Sequence, residues 1–136
     1  MAHFEVVYTK DLRTEMTHLA SGTKVLTDAP VDNKGKGEVF SPTDLASASL
    51  ASCMLTIMGI AAQEHGFSID GAKASVTKLM KSDPRRIGGI TIEIVFPDNE
   101  YSDKQKKILQ LISKTCPVAL SLHPDLEQDV QLIFTK

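Results

Sequence analysis

The sequence predicts an α+β fold, on three observations. Residues 41–67 make one long stretch in which no side chain is charged between Ala46 and Ala62. Short β-branched and aromatic runs flank it in two groups, one before it and one after. A second helical pattern, residues 102–114, has one apolar side and one rich in lysine. Strands and helices that are segregated rather than strictly alternating give this class.

Residues 3–9, HFEVVYT, are β-branched and aromatic with partial alternation, so they read as a strand. Lys10 and Asp11 break it. Residues 12–19, LRTEMTHL, alternate, with Leu12, Thr14, Met16 and His18 on one face. Arg13, Glu15, Thr17 and Leu19 take the other. Ser21 and Gly22 turn the chain into a third strand, 23–27, which completes an antiparallel meander. The loop 28–40, DAPVDNKGKGEVF, is rich in Gly, Pro and Asp. Long loops in compact domains are often functional, so this one is a candidate site wall.

The long helix is signalled at both ends. Ser41 is a good N-cap, Pro42 suits the first helical position, and Asp44 stands where a capping-box carboxylate would. There it also faces the positive end of the helix dipole. Gly66 is a natural stop. A helix apolar or small on all sides needs cover on every face. A chain of 136 residues has little to spare for that, so a second subunit is expected to supply it. Ser47, Ser49, Ser52, Thr56 and Gly59 argue against a membrane span.

Beyond the helix, residues 68–81 read as a strand with Ala72, Ala74, Val76 and Met80 along one side. A turn follows at 83–86, and Gly88 and Gly89 give room for an alternating strand, 90–96, to pair back as a hairpin. Ser102 caps the second helix, with Asp103 in its first turn. Ile108, Leu109, Leu111 and Ile112 form its apolar face, and Lys104, Lys106, Lys107 and Lys114 the wet one. Thr115, Cys116 and Pro117 break that helix and start a short one, 118–123. The last strand is 129–135. No internal repeat occurs, and residues 1–136 are expected to form a single domain.

Composition narrows the function. The formal charge of −2 and the lack of any basic run speak against nucleic acid as a partner. Residues 1–10, MAHFEVVYTK, do not resemble a secretory leader, so a cytoplasmic location is expected, with no membrane partner. Two cysteines are too few for a disulfide scaffold, and a cytosolic pair is more often redox-active or catalytic than structural. Cys53 and Cys116 lie far apart, and His3, His18, His65 and His123 show no ligand spacing. A metal site is therefore not expected.

The chemistry therefore rests on the thiols. Cys53 lies about twelve residues, or roughly 18 Å, into the long helix, beyond the useful reach of its dipole. Enclosed among Ala, Leu and Met it would be inert, so activity needs a cation from elsewhere. Arg85 and Arg86 sit together in a turn, which leaves Arg13, on a sheet face, as the candidate activator. Cys116 stands at the start of the short helix, and by dipole alone it should be the more acidic thiol. One buried thiol and one at a helix start are the parts of a thiol–disulfide cycle. A plain core helix with an inert cysteine is the alternative. Thiol–disulfide exchange on proteins has no CxxC site to support it.

The segments SPTDLASASLASCM (residues 41–54) and CPVALSL (116–122) make the chain resemble the OsmC/Ohr family of osmotically inducible and organic hydroperoxide resistance proteins. The Ser21-Gly22 turn, TDAP, GKG and SP support the likeness, which runs over nearly the whole chain. It implies an intertwined homodimer in which sheets wrap two long central helices. It also implies a thiol peroxidase that reduces organic hydroperoxides with no bound cofactor or metal. On this resemblance Cys53 is the peroxidatic cysteine and Cys116 resolves its sulfenic acid as a disulfide. A dithiol, in some relatives a protein-bound lipoyl group, then resets the enzyme. By position, Arg13 and Asp44 match the arginine and carboxylate that support the thiolate. One departure is visible. The best characterised peroxidase branch has a glutamate ten residues before the cysteine, where this chain has Thr43. Asp44 is closer to the OsmC-like branch, and a dimeric binding or stress protein with little turnover is the competing expectation. An apolar pocket around Leu50, Met54 and Ile57 would favour an alkyl hydroperoxide over hydrogen peroxide.

Overall fold

The computed structural model describes residues 1–97 and 99–135. Strands β1 (Phe4–Lys10), β2 (Arg13–His18) and β3 (Lys24–Asp28) come first, then the long helix α1 (Pro42–His65). Strands β4 (Lys73–Lys81) and β5 (Arg86–Val95), helices α2 (Asp103–Thr115) and α3 (Pro117–Ser121), and strand β6 (Glu127–Ile133) follow. The α+β class and the order of elements agree with the sequence reading. Two compact units divide the chain, Met1–Ala46 and Ser47–Lys136, and the division falls within α1.

In the first unit β1, β2 and β3 pair in order as an antiparallel meander. Asp11 and Leu12 both have positive φ, 53° and 64°. They form the two-residue link whose twist matches that of the flanking strands. Leu12 thus belongs to the turn, and the strand starts at Arg13. The buried residues of this unit are Thr27, Asp28 and Ser41, all polar, while Phe4, Val6, Val7 and Tyr8 are more than half exposed. Among the described residues, the meander encloses no apolar side chain.

The entry to α1 is a reciprocal capping box. The Asp44 N–H donates to Ser41 Oγ at 3.0 Å, and the Ser41 N–H donates to Asp44 Oδ2 at 2.9 Å. Aspartate here does what glutamate or glutamine usually does in that motif. At the exit Gly66 takes φ +74°, and the Phe67 N–H reaches back to the Ala62 carbonyl at 2.9 Å. That is a Schellman stop, and its left-handed residue explains the glycine.

The core lies in the second unit. Leu50, Ala51, Met54, Met58 and Ala62 form one inward stripe of α1 at helical spacing. They cluster with Ile90, Ile92 and Ile94 of β5, with Phe96 and Tyr101, and with Leu109, Cys116 and Ala119. Strand β5 is central, antiparallel to β4 and parallel to β6, and its alternate isoleucines point into the cluster. It begins at Arg86, earlier than the sequence suggests, because Gly88 and Gly89 belong to the strand. A Cβ at Gly88 would lie 2.3 Å from Lys81 Cγ, so glycine lets the side chain of the neighbouring strand cross it. On α2 the Ser102 box with Gln105 forms as expected, but Leu111 is 63% exposed and leaves the inner face to Leu109, Ile108 and Ile112.

A single chain supplies only part of the cover expected for α1. Ser49, Ser52, Thr56 and Ile60 of α1 are exposed, so the helix buries one stripe rather than its whole circumference. Ile92→Ala in the enclosed cluster should cost about 2–5 kcal/mol of stability, whereas Leu111→Ala should change it by less than about 0.5 kcal/mol. Urea unfolding of both variants checks the assignment of faces.

Candidate functional site

Cys116 owes its place to the proline after it. Pro117 has no N–H with which to extend the α2 ladder, and its ring holds the residue before it in an extended conformation. Cys116 accordingly sits at φ −66°, ψ 151°, closing α2 through its N–H to the Ile112 carbonyl and opening α3 as its N-cap. It is fully enclosed in the core cluster.

Burial is the largest influence on the Cys116 thiol and pushes its pKa up. The N–H groups of Ala119 and Val118 oppose that by hydrogen bonding to the sulfur. The neighbouring Cys53 pushes it up further. The expectation from the helix dipole is therefore overturned. A five-residue helix offers few aligned peptides, and enclosure outweighs them.

Cys53 is half-buried. It stands one position, about 100°, before Met54 and so at the flank of the inward stripe. This corrects the expectation of a fully buried thiol. The second unit brings Cys53 and Cys116 close together in and beside the core cluster, near enough for each thiol to feel the other. Leu50 and Met54, expected to line a pocket, are fully enclosed in the core and face no open space, and Ile57 is half-buried.

Arg13 lies in the first unit, directly across the sheet from Asp28. Its Nε donates to Asp28 Oδ1 at 2.7 Å and its Nη2 to Oδ2 at 2.8 Å, a bidentate fork. Nη2 also reaches Glu38 Oε1 at 3.3 Å, and the Glu38 N–H donates to Asp28 Oδ2 at 3.2 Å. The Arg13 hydrogen bonds hold the Asp28 carboxyl below its ordinary range. Burial opposes them, while the Arg13 charge and the N–H groups of Glu38 and Val39 assist. Asp44, also in this unit, is committed to the Ser41 cap. Sequence reasoning missed Asp28 and Glu38. Counting outward from a Ser21-Gly22 turn would pair position 13 with 30, whereas the observed register is centred between Ala20 and Ser21 and pairs it with 28.

The sequence matches the family model for OsmC-like protein over residues 35–130. The chain belongs to the OsmC-like family. A crystal structure from Psychrobacter arcticus 273-4, of a protein named for osmotic stress induction and a detoxification response, is 52% identical. The likeness covers 97% of this chain and 96% of that one, with a TM-score of 0.92. The OsmC-like fold also appears in an organic hydroperoxide resistance protein from Legionella pneumophila, at 13% identity and TM-score 0.75, covering 96% and 94% of the two chains. A further organic hydroperoxide resistance protein, from Elizabethkingia anophelis, is 8% identical with TM-score 0.76 and coverage of 99% and 98%. These two show the fold alone. No curated protein matches the sequence.

Proposed function

We propose that this OsmC-like chain is a thiol-dependent peroxidase that reduces organic hydroperoxides to alcohols. The observation that carries the reading is the closeness of a half-buried Cys53 to an enclosed Cys116. In the proposed cycle the Cys53 thiolate attacks the O–O bond, and the alkoxide leaves and takes a proton. Cys53 is then a sulfenic acid. The Cys116 sulfur attacks it, the disulfide forms, and water departs. A dithiol, such as a lipoyl group on a partner protein, restores both thiols.

Arg13 and Asp44 enter this proposal through the family resemblance, as the groups that support the thiolate and orient the peroxide. The protein is proposed to act as a cytoplasmic homodimer. The uncovered apolar residues of the meander and the exposed side of α1 support a second copy as their cover. A second reading, a dimeric OsmC-like binding or stress protein with little turnover, is favoured by one observation. Thr43 stands in place of the peroxidase glutamate, and Asp44 is occupied as a cap.

Stopped-flow mixing of the reduced protein with cumene or tert-butyl hydroperoxide, beside hydrogen peroxide, separates the two. A peroxidase oxidises at least about a hundredfold faster than a free thiol, which corresponds to about 2.7 kcal/mol off the barrier. A rate equal to that of a free thiol removes the peroxidase reading.

A further inference from the structure

We propose that a cleft at the turn end of the β4–β5 hairpin binds a small organic carboxylate, at a site separate from the two thiols. The cleft measures about 520 Å³ and lies between that hairpin and the link from α3 to β6. Such a volume suits a small ligand. Lys81, Arg86, His123 and Asp125 supply its polar lining, and Pro84, Ile87 and Leu126 its apolar walls. None of these residues belongs to the meander or to α1, the surfaces assigned above to a second copy.

Lys81 and Arg86 stand directly opposite each other in the β4–β5 register. Like charges so placed repel, and among the described residues neither side chain pairs with a carboxylate. Both are nevertheless held in place. Arg86 Nη1 donates to the carbonyls of Ser82 at 3.1 Å and Pro84 at 2.8 Å. That leaves Nε and Nη2, the edge of the guanidinium that takes a carboxylate as a fork. The Lys81 stem lies across the backbone of Gly88, where an added Cβ would collide with Cγ, Cδ and Cε. Only glycine leaves that path open. His123 Nδ1 accepts from the Asp125 N–H at 3.0 Å, so the neutral ring carries its proton on Nε2 as a further donor. Two cations against Asp125 leave one positive charge, which suits a monocarboxylate better than a phosphate dianion. The apolar walls favour a short hydrocarbon body on it.

Titration of the intact reduced protein with hexanoate, followed by amide NMR, reads this binding. No oxidant is present, so the outcome is independent of the peroxidase reading. The expected result is saturable shifts of the Ile87, Gly88 and Leu126 amides, with a dissociation constant on the order of 1 mM or below. Hexanol, which lacks the charge, and inorganic phosphate, which lacks the hydrocarbon, should each bind at least about tenfold more weakly. Lys81→Glu should weaken hexanoate binding by about tenfold or more, and Asp125→Asn should tighten it by about threefold. The Asp125 side chain is 90% exposed, so its replacement leaves the fold intact. Failure to saturate, shifts centred elsewhere, equal binding of hexanol, or an affinity unmoved by either substitution overturns the proposal. Phosphate binding as tightly as hexanoate overturns the assignment of a carboxylate.

Discussion

Cys53→Ser is expected to abolish hydroperoxide consumption, and Cys116→Ser to stop it after one equivalent. The two effects differ because the sulfurs do different work in the proposed cycle. Without Cys53 no accessible thiol remains, since Cys116, the other cysteine, is enclosed. Its oxidation should then fall to that of a buried thiol. Without Cys116 the first step survives within a few-fold, because Cys53 and its surroundings are intact. The sulfenic acid then has no partner. It persists long enough to be captured by dimedone, and with excess peroxide it advances to sulfinic acid. Mass spectrometry of each variant after one equivalent of cumene hydroperoxide checks both statements. A Cys116→Ser protein that turns over at the wild-type rate with a dithiol would show that the second cysteine is not the resolving one. Equal loss of the first oxidation step in both variants would remove the division of roles.

Much of this architecture is legible in the sequence because its signals are local. Ser41, Pro42, Asp44 and Gly66 mark both ends of α1, and each does in the fold what its type suggests. Pro117 marks the junction at Cys116 for the same reason. What the sequence does not yield depends on contacts between distant segments. The acidity of Cys116 is easily misjudged because a helix start is visible in sequence and enclosure is not. Leu50 and Met54 look like pocket residues until the strand packed on them, with Ile90, Ile92 and Ile94, is in place. Leu111 fits an apolar periodicity but lies past the edge of the covered face. Arg13 stands out as a rare arginine on a sheet, and its partners do not, because cross-strand register joins residues fifteen positions apart.

That partnership carries the second large expectation. Asp28→Asn should lower the unfolding midpoint at neutral pH by several degrees, and Glu38→Gln by much less. Asp28 is enclosed and takes both arms of the Arg13 fork. Glu38 meets the same guanidinium at 3.3 Å with 62% of its side chain exposed, where solvent weakens the pair. The pH dependence separates charge from shape. In the folded chain the Asp28 pKa is lowered, chiefly by the hydrogen bonds from Arg13. The unfolded chain takes up a proton near the ordinary carboxylate value of about 4, and the folded chain resists it until lower pH. The stability that Asp28 contributes is thus present above that value and is lost as pH falls through its folded pKa. Asparagine cannot titrate, so Asp28→Asn should flatten the acid limb of a plot of midpoint against pH, while Glu38→Gln leaves it nearly unchanged. An acid limb equally steep in Asp28→Asn and wild type would place the acid sensitivity in other carboxylates and reduce the Arg13 fork to a matter of packing.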